Sequence, residues 1–116
     1  MPPQAYDLHF HSAASDGAAI FETVCSVVQQ RPFLRWVGLA DHDTIEYSVR
    51  LAQIESRALV AFETVAPNGR GSAEFVGLRV APDNADLCAY LANRRLERTL
   101  RFDAWITKLR ALGFRV

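Results

Sequence analysis

A strand-like run that ends in two histidines, residues 6–12, is the feature that most constrains how this chain folds. Side chains alternate between the two faces of a strand, so His9 and His11 project to one side while Leu8 and Phe10 turn towards a core. Two imidazoles at one strand end lie within reach of a single ion, and Asp16 follows five residues later. The segment therefore predicts a strand that presents part of a metal site.

Two further apolar runs, residues 36–39 and 58–62, also end in side chains of the ligand type. The first is followed by Asp41 and His42, and the second by Glu63. Functional residues collect at the carboxyl ends of parallel strands, so three strand ends of this kind predict one shared site. For His42 taken alone, a hydrogen-bonded core histidine or a helix cap is the alternative interpretation.

The pattern along the chain is strand, helix, strand, helix, strand, strand, helix, which predicts an α/β fold with parallel strands and right-handed crossovers. Apolar residues at helical spacing predict helices near residues 20–28 and 45–52. Asp43 and Glu46 are placed like a capping box at the start of the second helix.

The second half of the chain predicts a β-hairpin and one long helix. The hairpin covers residues 58–80, with a turn at residues 67–71 that is rich in glycine. The helix is predicted to follow residues 82–84 and to run to about Leu112, and residues 113–116 resemble the start of a further strand. The apolar positions of this helix are Leu87, Leu91, Trp105, Leu109 and Leu112.

The composition favours one globular domain, because 116 residues of which 50% are hydrophobic can bury a core. No apolar stretch is long enough to span a bilayer, and the first residues lack the pattern of a secretory signal. Cys25 and Cys88 have no spacing that indicates a disulfide framework or a zinc ribbon, so a reducing cytoplasm is the expected location.

The charge balance excludes tight non-specific binding to nucleic acid as the main activity, because the formal net charge is zero. The distribution is uneven, with net −4 over residues 1–78 and net +4 over residues 79–116. An acidic half that holds metal-ligand side chains and a basic half suit a metal-dependent phosphoester site, although an asymmetry of this size also arises by chance.

Four segments in order carry a resemblance to a known family: residues 7–17, residues 38–44, the strand that ends in Glu63, and residues 75–78. Together they resemble the amino-terminal part of the PHP (polymerase and histidinol phosphatase) superfamily. The similarity is greatest to its stand-alone branch, which includes nucleoside-bisphosphate phosphatases and 5′-to-3′ exoribonucleases. The resemblance implies an α/β fold, the amino-terminal half of a distorted (β/α)7 barrel, and metal-dependent hydrolysis of phosphoesters.

The resemblance also implies a ligand set. His9 and His11 would hold a first divalent ion, Glu63 would bridge the first two ions, and Asp16 and His42 would hold a third. Up to three ions are expected in the complete domain, with manganese, zinc, iron and magnesium as the choices.

Glu74 departs from the family, which usually has a histidine at this position of the hairpin strand. A glutamate ligand would shift the preference from zinc towards manganese or magnesium. The alternative is that Glu74 is a solvent-facing residue and its metal is weakly held or absent.

Two arginines of the long helix are the candidate phosphate contacts. Arg98 and Arg101 share a helix face with Arg94, and guanidinium groups suit phosphate oxygens. The alternative is a solvated face, on which Glu97 and Arg101 form a favourable pair.

The chain is expected to be a partial PHP domain, residues 1–116, because the family's later histidine and its Asp-x-His pair have no counterpart and a β/α barrel takes roughly 250 residues. We expect a fragment of a longer parent, inactive by itself. The expected substrates are phosphorylated small molecules, nucleotides or short RNA, with no membrane partner. The alternatives are an inactive PHP-like binding or regulatory module and a PHP domain linked to a DNA polymerase.

Overall fold

One four-stranded sheet, in the order β1-β2-β3-β4, organises the molecule. The computed structural model describes residues 4–67 and 69–116. The strands are β1 (Ala5–Phe10), β2 (Leu34–Leu39), β3 (Ala58–Pro67) and β4 (Ser72–Leu78), and the helices are α1 (Phe21–Gln29), α2 (Glu46–Ile54) and α3 (Ala85–Ala111). The strand pairs β1–β2 and β2–β3 are parallel, and β3 and β4 form an antiparallel hairpin. The predicted order of elements and the hairpin are confirmed.

The apolar core joins α1, β2 and α2. Val37 and Leu39 of β2 are fully buried, and they belong to one cluster with Val24 of α1 and Leu51 of α2. Gly38 lies between them in sequence and faces β1, where an added Cβ would come within 2.6 Å of a backbone oxygen. A side chain at this position would therefore push apart the two strands whose ends carry the histidines.

Helix α3 is long but lightly packed. Asn84 caps its start by accepting a hydrogen bond from the Leu87 N–H, and over the helix, all of which is described, Leu91 is the only buried residue. Trp105 and Leu112, which the sequence places on apolar positions, are exposed. Among the described residues, no helix combines the length and apolar character needed to cross a membrane.

Two local expectations are wrong. Residues 113–116 form no strand. The capping box at α2 does not form, because Asp43 has a left-handed backbone (φ 54°) and Thr44 Oγ1 instead accepts the hydrogen bond from the Glu46 N–H. The predicted turn at residues 67–71 includes Asn68, which lies outside the described residues.

Candidate metal centre

Three neighbouring strands bring imidazole and carboxylate groups together around Glu63. Glu63 was expected at the end of its strand, but it lies within β3, because the hairpin pairing with β4 extends that strand to Pro67. Its Oε2 atom lies 3.0 Å from Nε2 of His9, 3.0 Å from Nε2 of His11 and 3.5 Å from Nε2 of His42. His9 is in β1, His11 directly follows β1, and His42 follows β2 and pairs with Glu63 of β3 in a parallel bridge. The parallel arrangement of the strands therefore places these side chains at the same edge of the sheet.

Asp16 extends this cluster on the side of the loop after β1. Its Oδ1 lies 3.2 Å from Nδ1 of His11, and its Oδ2 lies 3.2 Å from Nε2 of His42. His11 thus faces Glu63 with one ring nitrogen and Asp16 with the other. Two groups of possible ligands result, one of His9, His11 and Glu63 and one of His11, Asp16 and His42.

The spacing of the donor atoms fits a divalent ion. Within each group, ligand atoms lie within 4.8 Å of one another. Two ligands of a tetrahedral zinc ion, each at 2.0–2.2 Å, are ~3.4 Å apart. The Nε2 atoms of His9 and His11 lie 3.2 Å apart. His42 turns its Nε2 atom towards Glu63 and Asp16, and its Nδ1 atom, on the other side of the ring, is buried without a hydrogen-bond partner among the described residues. Imidazole with carboxylate is a ligand set that suits zinc, manganese or iron.

The electrostatics keep Asp16 ionised. Burial works against the charged form, but interactions with the neighbouring His42 and His11 and hydrogen bonds to the carboxylate outweigh it and hold the pKa of Asp16 below its usual value. The side chain is 63% exposed, so this effect is screened by solvent. Asp16 is therefore available as an anionic ligand at neutral pH.

Asp41 shapes the loop that carries His11 and Asp16. Its buried carboxylate accepts hydrogen bonds from the Ser12 N–H (2.7 Å), from Ser12 Oγ (2.6 Å) and from Ser15 Oγ (2.6 Å). In the sequence, Asp41 follows the apolar run of residues 36–39 together with His42. In the structure, both of its carboxylate oxygens accept hydrogen bonds from this loop.

Asp43 is a site neighbour for which sequence reasoning gave a different role. Its carboxylate accepts hydrogen bonds from Thr64 Oγ1 (2.7 Å) and Arg98 Nη2 (2.6 Å), and its carbonyl accepts one from Arg95 Nη1 (3.0 Å). The local signal near Asp43 indicated a capping box, and no pattern in the sequence linked this residue to an arginine 55 positions away.

Glu74 lies outside both groups of possible ligands. The hairpin register places Val76 opposite Glu63 and Glu74 opposite Val65, so Glu74 is on the face of Glu63 but one step further along the ladder. Its side chain is exposed. The expectation that Glu74 points to the same side as Glu63 agrees with this register, and its ligand role stays a prediction.

The two predicted phosphate contacts differ in their surroundings. Arg98 is paired with Asp43 yet 51% exposed, whereas Arg101 is exposed beside Trp105. Glu97 forms its ion pair with Arg94, which corrects the expected pair with Arg101. The phosphate contacts of Arg98 and Arg101 stay predictions.

A cavity of ≈ 490 Å³ adjoins the centre between α2 and α3. It is lined by residues of the loop after β1, of the segment after His42 and of α3, including Ala14, Thr44, Ile45, Tyr47, Leu91 and Arg95. This volume falls within the range of small-molecule sites, and the lining mixes apolar side chains with one cation, Arg95, and one anion, Glu46.

Comparison with known proteins gives structural relatives. No family model matches the sequence, and no curated protein matches it. Among solved structures, one similar chain is an amidohydrolase from Chromobacterium violaceum with bound sulfate and no metal, with a TM-score of 0.82 and 30% identity over 96% of this chain. Another is a candidate metal-dependent phosphoesterase from Bifidobacterium adolescentis, with a TM-score of 0.78 and 26% identity over 95% of this chain.

The chain spans 40% of the length of each of these two proteins. Its mixed α/β architecture with a curled four-stranded sheet matches part of a barrel, and the neighbours are hydrolases by name. The fold is consistent with the PHP resemblance, while the seven-stranded form and the branch of the family stay predictions.

Proposed function

We propose that this chain is the amino-terminal half of a PHP-type (β/α)7 domain that hydrolyses phosphoesters with divalent metal ions, as part of a longer parent chain. The observation that carries the proposal is the convergence of three imidazole nitrogens on one carboxylate oxygen of Glu63, within 3.0–3.5 Å. Support also comes from the candidate phosphoesterase among the structural neighbours.

In this proposal, His9 and His11 hold a first ion, Glu63 bridges it to a second, and Asp16 and His42 hold a third. His11 belongs to both groups of possible ligands, so it lies next to the first and the third place. Glu74 is a further ligand, added from the hairpin. When bound, such ions polarise phosphate oxygens and make a water acidic enough to supply hydroxide near neutral pH.

The chain's own side chains provide position and charge. Asp41 fixes the loop of His11 and Asp16, and Asp16 stays anionic beside two imidazoles. Arg98 and Arg101 orient the phosphate through their exposed guanidinium groups.

The substrate we propose is a phosphate monoester or diester, with a nucleotide or short RNA as the preferred class. The cavity beside Thr44 and Arg95 has room for the organic part of such an ester. Its apolar walls favour a ring, and Arg95 and Glu46 offer polar contacts at the lining.

The test is an assay of the complete parent protein with manganese or zinc, using bis-(p-nitrophenyl) phosphate, a nucleoside monophosphate and a short RNA. We expect hydrolysis that is lost on adding EDTA and in a Glu63→Gln variant. Hydrolysis that persists in both would contradict the proposal. The isolated 116-residue chain is expected to turn over far below the range of about 1–10³ s⁻¹ that enzymes usually show.

Amide hydrolysis is a second candidate, because one neighbour is named an amidohydrolase. Activated water at such a centre attacks a carbonyl carbon as well as a phosphorus atom. An acetanilide substrate in the same assay separates the two reactions. A binding or regulatory module, or a PHP domain linked to a DNA polymerase, would bind metal without turnover of any of these substrates, or with turnover of nucleic acid ends alone.

A further inference from the structure

Asp43 joins the metal centre to α3. It directly follows His42, is 1% exposed, and shares its carboxylate between Thr64 and Arg98. We infer that the ion pair between Arg98 and Asp43 holds His42 and Glu63 in the arrangement that binds metal, so that Asp43 and Arg98 are positioning residues. This inference rests on the proposed metal centre and assigns a role to two residues that are not ligands.

Backbone hydrogen bonds connect Asp43 to the strand that carries Glu63. The Asp43 N–H donates to the Glu63 carbonyl (2.8 Å), and the Glu63 N–H donates to the Asp41 carbonyl (3.0 Å). These two bonds join the residues on either side of His42 to Glu63 in β3. Asp43 has a left-handed backbone with φ 54°, a conformation that aspartate adopts more readily than most residues. Its hydrogen bonds to Thr64 and Arg98 fix the side chain in that conformation.

The buried charge of Asp43 depends on its pairing with Arg98. A buried carboxylate is unfavourable unless it is paired and hydrogen-bonded. Without Arg98, the side chain of Asp43 would keep a single donor, Thr64 Oγ1. The carboxylate would then turn towards water, the left-handed backbone would relax with it, and His42 would move relative to Glu63.

Helix α3 is weakly packed. Leu91 is the one residue of this fully described helix that is buried, so polar contacts carry much of its attachment. Arg95 donates to the Asp43 carbonyl, and the Tyr90 hydroxyl lies 3.2 Å from Thr64 Oγ1. Docking of α3 and the geometry of the metal centre are therefore coupled through Asp43.

The experiment is calorimetric titration of the 116-residue chain with Mn²⁺ and Zn²⁺. Arg98→Met is expected to weaken binding by about tenfold or more, as outer-shell changes at metal sites do. Arg98→Lys keeps the charge and should recover part of this loss. The matched control is Arg110→Met on the same helix, because Arg110 is exposed and bonds the Val116 carbonyl, far along the chain from Asp43.

A second variant tests the pair itself. Asp43→Asn keeps an acceptor for Thr64 but removes the charge that Arg98 neutralises. If the two residues act as one unit, the double variant loses less affinity than the sum of the two single losses. Additive losses would contradict the coupling.

Histidine ring signals in an NMR spectrum, recorded in EDTA, separate this inference from the proposed function. Arg98→Met should move the His42 ring signals while those of His9 stay in place, whether or not the unmodified chain binds metal in the titration. If the unmodified 116-residue chain binds neither metal, the proposed metal centre within this chain is contradicted, and the ring signals still decide the inference.

An Arg98→Met chain that stays folded, binds both metals like the parent and leaves the His42 signals unmoved would overturn the inference. If Arg98→Met does not fold, Asp43→Asn and Arg98→Lys give the same two measurements, with the same outcomes.

Discussion

The polar groups at the two ends of the sheet differ in how they are paired. At the amino end, just before β3, Arg57 holds Glu55 in a two-pronged ion pair (2.7 and 2.8 Å). Its remaining donors go to three backbone carbonyls, those of Val28, Arg31 and Leu34. At the carboxyl end, the carboxylate of Glu63 meets three imidazoles whose ring nitrogens also face one another.

At the amino end, each charged group of the ion pair has a partner of opposite charge. At the carboxyl end, three imidazoles surround a single carboxylate oxygen. The hydrogen bonds from Arg57 hold the pKa of Glu55 at about 2, and Glu55 in turn raises the pKa of Arg57. The carboxyl end has a buried imidazole nitrogen, His42 Nδ1, without a partner among the described residues. Polar groups at the amino end thus stabilise the fold, and those at the carboxyl end are the ones that we propose bind metal.

Removing Arg57 should have the largest effect and should fall on stability alone. Arg57→Met leaves Glu55 partly buried without its partner, so we expect the free energy of unfolding to fall by about 3 kcal/mol. Urea denaturation measures this loss. The control is Arg35→Met on β2, an exposed arginine that bonds the Gln4 side chain and should change stability by less than about 0.5 kcal/mol. Equal losses in both variants would erase the contrast between the two ends.

Changing Glu63 should act on metal affinity. Glu63→Gln keeps the shape but removes the anionic ligand, so we expect Mn²⁺ and Zn²⁺ binding to weaken by about 100-fold, or ~2.7 kcal/mol. Calorimetry on the 116-residue chain measures it, with Glu22→Gln on the exposed side of α1 as the control. Unchanged affinity in Glu63→Gln would remove Glu63 from the ligand set.

Acid should weaken the amino end in a defined range of pH. The folded pKa of Glu55, about 2, is below its ordinary value of 4.5, so its stabilising effect is present above pH 4.5 and is lost as pH falls towards 2. Between these limits, the free energy of unfolding of the unmodified chain should fall by about 2 kcal/mol more than that of a Glu55→Gln variant, because the variant lacks the titrating group. Urea unfolding at pH 5, 3.5 and 2 compares them. Parallel curves would contradict the low pKa of Glu55.

The smallest effect is expected at Glu74. If its carboxylate is a ligand, Glu74→His should tighten zinc relative to manganese, by less than about tenfold because the side chain is exposed. Glu22→His, on α1, controls for an added surface imidazole. Identical affinities for both metals before and after the change at Glu74 would rule out a ligand role.

Local patterns in the sequence predicted the carboxyl end better than the amino end. Period-two alternation and polar residues after apolar runs were enough to bring His9, His11 and Glu63 together, because the carboxyl ends of parallel strands share one edge. Arg57 gave no such signal, since three of its acceptors are backbone carbonyls that carry no residue identity, and its ion pair with Glu55, two residues away, looks like an ordinary surface pair in the sequence.

Long-range pairing was the other limit of the sequence. Asp43 was assigned to a capping box, which is a local pattern, but its carboxylate found Thr64 and Arg98 in the folded chain. The helical periodicity of α3 placed Trp105 on an apolar position, yet periodicity cannot say what packs against that position, and Trp105 is exposed.

The shared position of His11 makes the two groups of possible ligands dependent on each other. One ring nitrogen faces Glu63 and the other faces Asp16, so an ion taken up in the first group withdraws His11 from the second. Filling one place then lowers the affinity of the other, and the penalty is equal in both directions. A metal titration of this chain should therefore rise in two separated steps, with negative cooperativity, instead of one.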